Sequence, residues 1–182
     1  MIIAKQKKQE NLAEYVLYMW QLEDLLRALK FDADLIEKQL VLQYDVSEAE
    51  KATIREWYQG LIQQMKDEGI KETGHLQSVT NQINDLNEHH MYLMQAEDED
   101  TYHQVFEMAR PNLIAFREKS KDTKSYDVQL AFNALYSLLM LRLQDKKVSK
   151  DTEQAMTSFS NFLGILSKKY KDFHTGEEEF KG

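Results

Sequence analysis

Apolar residues recur every three or four positions along most of this chain, and polar residues fill the intervals. Leu12, Tyr15, Met19, Leu22, Leu26 and Leu29 step in this way, which predicts an amphipathic helix over about residues 7–29. A short second helix is expected over 33–44, with Asp32 as its N-cap and Leu35, Ile36, Leu40 and Val41 as its apolar side. Ser47 and Glu50 form an S-x-x-E capping box and open a third helix. Its seam is Ile54, Trp57, Tyr58, Leu61 and Met65, and Gly69 is placed to end it. A fourth helix, about 74–95, carries Leu76, Val79, Ile83, Leu86, His90 and Leu93. The acidic run 97–100 leads into a fifth, with Tyr102, Val105, Phe106, Ala109, Leu113 and Phe116, in which Pro111 predicts a kink or a split. Ser149 opens the last helix, whose seam is Ala155, Phe159, Phe162, Leu166 and Tyr170, and the polar tail 174–182 is expected to fray.

Residues 128–143, VQLAFNALYSLLMLRL, break this one-sided pattern: twelve of the sixteen are apolar. Gln129, Asn133 and Ser137 lie four apart and make one thin polar stripe, so the rest of the circumference is apolar. Such a helix, spanning about 125–145 with Ser125 as a cap, belongs inside a bundle, with Leu138 and Leu139 deep in the core. It is too short and too interrupted to cross a membrane. The expected fold is all-α: a single-domain bundle of six or seven helices around this central helix, covering residues 1–182.

Composition narrows the function classes. With 182 residues, 42% hydrophobic and 30% charged, the chain suits one soluble globular domain. Its 31 acidic and 23 basic residues give a net charge of −8, which repels a phosphate backbone, so no nucleic-acid partner is expected. There are no cysteines, which removes disulfides and thiolate chemistry and suits a reducing, cytoplasmic setting. The N-terminal lysines precede a patch flanked by Glu14 and Glu23, with no small-residue cleavage site, so the patch reads as the first helix and not as a signal peptide.

Three constellations could carry chemistry. Glu23 falls on the arc shared by Val16, Met19 and Trp20, and Arg27 follows four residues later in the order that favours an ion pair. A carboxylate on an apolar arc can become an acid or base, but such a pair more commonly sits at a core edge, shielded here by Trp20. Arg55 and Trp57 lie in a dense aromatic and charged cluster that, with Arg27 and Arg142, could hold a small anion in a crevice. Against this stands plain aromatic packing. His75, Asp85, His89 and His90 offer imidazole and carboxylate groups for a metal. Glu72-x-x-His75 and Asp100-x-x-His103 only partly match the paired Glu-x-x-His units of di-iron bundles, so no cofactor or metal is expected.

MIIAKQKKQENLAEYVLYMWQLEDLLRA at the start, REWY and GHLQ in the middle, and ALYSLLMLRL near the end resemble a Bacteroidetes family of small helical proteins. That family is a domain of unknown function, and the likeness covers nearly the whole chain. It implies a single helical domain and assigns no activity, ligand or site. The chain is therefore read as a non-catalytic binding or interaction module, taking a protein partner or a second copy of itself. Leu17 and Leu25 lie outside the first seam, two turns apart, and suggest a homodimer patch. The rival reading is a metal-dependent or small-ligand bundle built on the histidines and carboxylates.

Overall fold

Eight α-helices and one 3₁₀ turn, with no strand, make up residues 2–176, which a computed structural model of the chain describes. They are α1 (Ile2–Glu10), α2 (Leu12–Ala28), α3 (Ala33–Gln39), α4 (Glu48–Asp67), α5 (Gln77–Leu93), α6 (Asp100–Ser120), α7 (Asp127–Leu143) and α8 (Lys150–Thr175). No helix among the described residues is long and apolar enough to cross a membrane. Two compact units are distinguished. One comprises the chain through Lys8 with Glu14–Asn81; the other comprises Gln9–Ala13 and the chain from Gln82 onward.

In the first unit the predicted seams become the core: Met19, Leu22, Leu26, Ile54, Tyr58, Leu61 and Met65 are all buried. The helix expected over 7–29 is two helices, because Asn11 interrupts it. Its side-chain oxygen accepts the Ala13 N–H at 3.0 Å, an N-cap bond that starts α2 afresh. The apolar seam begins at Leu12, just past the break, and residues 5–11 are all polar, so periodicity marks α2 and carries no sign of where α1 ends. The predicted Asp32 cap forms, with Oδ1 accepting the Leu35 N–H at 2.9 Å. The Ser47–Glu50 box closes in both directions at 3.0 and 3.3 Å. The second predicted helix is shorter than expected: α3 ends at Gln39 and a 3₁₀ turn, Val41–Gln43, follows. α4 ends in a Schellman motif, in which Gly69 takes φ +71° and the Ile70 N–H reaches the Met65 carbonyl at 3.0 Å.

In the second unit α7 packs against α6 and α8, and α6 against α8. Val128, Leu130, Ala131, Phe132, Ala134 and Leu138 are buried, as a central helix requires. Its last turns are not enclosed: Leu139 is half-buried and Leu143 is 70% exposed. The polar stripe bonds to itself, Gln129 donating to Asn133 at 2.9 Å and Ser137 to the Asn133 carbonyl at 2.7 Å. Ser125 is not the cap of α7. Tyr126 holds that position, while Asp122 draws in the Ser125 hydroxyl at 2.6 Å. These bonds hold the Asp122 carboxyl down at about 2, led by the one from Ser125. Pro111 does not split α6, which runs unbroken past it. Pro111 lies on an exposed face, where the carbonyl it leaves unbonded can meet water. The tail expected from 174 onward starts later, since α8 continues to Thr175 and Gly176 caps it in the left-handed region; the remainder, 177–182, lies outside the described residues.

Candidate functional site

Glu23 is 1% exposed, deep on α2, and a carboxylate there needs donors. It has two. The backbone N–H of Leu76 donates to Oε1 at 3.1 Å, and His75 Nδ1 lies 2.7 Å from Oε2. Trp20, one turn earlier on α2, stacks on the His75 ring with centroids 4.1 Å apart. Arg27, one turn later, donates to the carbonyls of Ile70 and Gly74 and to Asp24 at 2.7 Å. The same face of α2 thus fastens the link between α4 and α5 at three points. Gly69 and Gly74, both at positive φ, let that link turn. In a neutral His75 ring the Nδ1–H donates to Glu23, which leaves Nε2 as an acceptor on a side chain 32% exposed. The evident work of the pair is to seat the link. Glu23→Ala should lower stability by about 2–3 kcal/mol, because a buried N–H loses its acceptor. Glu23→Gln, which keeps an acceptor for Leu76, should cost less in the same urea melts; equal losses would count against this account.

A cleft of about 300 Å³ lies in the first unit. Its apolar lining comes from Ala4, Met19 and Leu61, all buried. Tyr15 and Trp57 add aromatic surface, and Gln64 and Ser78 add polar atoms. Lys5 and Lys8, one turn apart on α1, complete the lining. The Lys8 ammonium stands 5.6 Å from the Tyr15 ring centroid. Burial, helped by the Glu23 charge, pushes the Tyr15 hydroxyl up, so that wall is uncharged at neutral pH.

Of the residues singled out in the sequence, Trp20, Glu23, Arg27 and His75 come together, although the sequence groups His75 with a metal set and Trp20, Glu23 and Arg27 with an ion pair at a core edge. Trp57 lines the cleft. Arg55 is committed elsewhere: its guanidinium grips Glu37 through two bonds of 2.7 and 2.6 Å. Arg142 is exposed and lies 4.0 Å from Glu153. The remaining histidines are part of the second unit's packing. His90 Nδ1 is 2.6 Å from the Tyr102 hydroxyl, and His89 packs on Tyr170 and Phe173 with centroids 5.7 and 5.3 Å away. Asp85 accepts from Gln82 at 3.2 Å. His75, Asp85, His89 and His90 are thus not assembled as one ligand set, and no group of three or more metal-ligating side chains occurs among the described residues. The Glu72-x-x-His75 spacing has no helical meaning, because α5 begins at Gln77.

Sequence reasoning missed Lys5, Lys8, Gln64 and Ser78. The signal the sequence offered was two bulky aromatics, Tyr15 and Trp57, in step with their seams; the structure leaves both half-buried. The fold and the cleft define an all-helical protein with a lysine-rimmed recess. The chain belongs to the family described as Domain of unknown function (DUF4924), which it matches over residues 1–177. No curated protein and no solved structure matches it.

Proposed function

We propose that this chain is a non-catalytic binding module whose first unit takes a small ligand in the lysine-rimmed cleft. The observation that carries this is the cleft itself: about 300 Å³, lined by apolar and aromatic side chains together with Lys5, Lys8, Gln64 and Ser78. Small-molecule sites share that size and mixture. The metal-dependent alternative has less support, since His75 and His90 are already bonded to Glu23 and Tyr102. Self-association is the second partner class. Leu25 is exposed but Leu17 is half-buried, so the patch is smaller than its spacing suggests, and single exposed leucines are ordinary. A cytoplasmic setting belongs to the same proposal and rests on the absence of cysteine from the sequence.

Ser78→Trp tests the cleft. Ser78 is exposed, in the first turn of α5, so the indole enters the recess without disturbing the core. Fragments screened by ligand-observed NMR should bind wild type and lose binding to this variant. Equal binding to both proteins, or no binding to wild type, would overturn the reading.

A further inference from the structure

We infer that the ligand of this cleft is a planar aromatic carboxylate, an inference that rests on the binding reading above. The charge argument starts from α1. Lys7 is spent on Glu14 at 3.0 Å and stands 6.0 Å from the Tyr18 ring. Lys5 and Lys8 line the cleft instead, and among the described residues neither is paired with a carboxylate. None of the cleft's lining residues is acidic. A chain of net charge −8 therefore holds a locally positive recess. Two ammonium groups beside a low-dielectric wall draw an anion and reject a cation.

Shape sets the rest of the ligand. Tyr15 and Trp57 add aromatic surface to a lining that also includes Met19 and Leu61, which suits a flat apolar body. A methionine in the lining adapts to ring edges, with favourable contacts between sulfur and an aromatic ring. Gln64 and Ser78 can each bond one further polar atom of the ligand. The carboxylate then lies toward Lys5 and Lys8 while the ring system packs on Tyr15 and Trp57. Arginine pairs, the expected anion holders, are engaged elsewhere: Arg55 with Glu37 and Arg27 with backbone carbonyls.

The test compares naphthalene-2-carboxylate with naphthalene-2-carboxamide, which has the same shape without the charge. Both are titrated by calorimetry into wild type and into a Lys5→Gln, Lys8→Gln double variant. Both lysines are exposed on α1, and a thermal melt verifies that the variant is folded. The acid should bind wild type about tenfold more tightly than the amide, the size of one charge-assisted contact. The double variant should erase that difference and leave amide binding unchanged. The Trp57 indole N–H signal should move on titration. Equal affinity of acid and amide for wild type would overturn the carboxylate inference and leave the binding reading standing. Failure of both probes, while other fragments bind wild type and not Ser78→Trp, would overturn the ligand class alone. Failure of both probes and of every fragment would overturn the binding reading with it.

Discussion

Phe162→Ala should remove about 3–5 kcal/mol of stability, the usual cost of deleting a fully enclosed aromatic side chain. Phe162 is at 0% exposure on α8. Its ring lies 5.2 Å from that of Phe106, 5.4 Å from His90 and 6.3 Å from Tyr102, so α5 and α6 both rest against it. Truncation leaves a hole lined by three rings, of which His90 and Tyr102 are tied to each other by a hydrogen bond of 2.6 Å and resist closing in. Two terms therefore add: lost transfer free energy and an unrelaxed cavity. Urea melts at pH 7.5 provide the measurement. A loss below about 1 kcal/mol would mean that the second unit repacks freely, and that this aromatic cluster is not its core.

The four rings of this cluster were legible in the sequence. Tyr102 and Phe106 fall in the seam of one predicted helix, His90 in another and Phe162 in a third, and all are buried. Periodicity reports which side of a helix faces inward, and the hydrophobic effect enforces that at nearly every seam position. Helix ends were legible where a side chain does the capping, as at Asp32, Ser47 and Ser149. They were not legible where a cap adjoins a polar run. Asn11 ends a run of polar residues, 5–11, in which no apolar step marks the break between α1 and α2. α7 shows the opposite failure. Its composition called for neighbours on most sides, but an apolar residue carries no record of how many neighbours it has, and Leu143 has few.

The candidate sites were legible only in fragments. Glu23 and Trp20 stood out on α2, and His75 stood out as a histidine, but nothing local joins them. Their contact spans 52 positions and depends on a link that bends at Gly69 and Gly74. The cleft is harder still to read. Its lysines lie on α1, its aromatics on α2 and α4 and its serine on α5, so no spacing in the sequence brings them to one place. Polar rim residues also look like any solvated helix face. Sites assembled from separate elements escape sequence patterns for this reason, whereas seams, which are repeated along one element, do not.

His90 should make the protein's stability depend on pH between about 6.5 and about 4. It lies in the core at 5% exposure, and burial pushes its imidazole down to about 4, only partly offset by the charge of Asp127 on α7. The neutral ring is held by the Tyr102 hydroxyl of α6 at 2.6 Å. In the unfolded chain the same side chain takes a proton near pH 6.5. Above 6.5 neither state is protonated there and His90 carries no penalty. Between 6.5 and about 4 the unfolded state binds the extra proton, so stability falls as the pH drops. Below about 4 both states are protonated and the loss is complete. A gap of this width is worth about 3 kcal/mol. The measurement compares urea melts of wild type and His90→Gln at pH 7.5, 5.5 and 4.0. Glutamine can still meet the Tyr102 hydroxyl but does not titrate, while every carboxylate and the other histidines titrate in both proteins and cancel. Wild type should lose about 3 kcal/mol more than the variant across that range, most of it below pH 6. Parallel pH profiles would show that His90 takes its proton at the same pH folded and unfolded, and that burial does not hold it neutral.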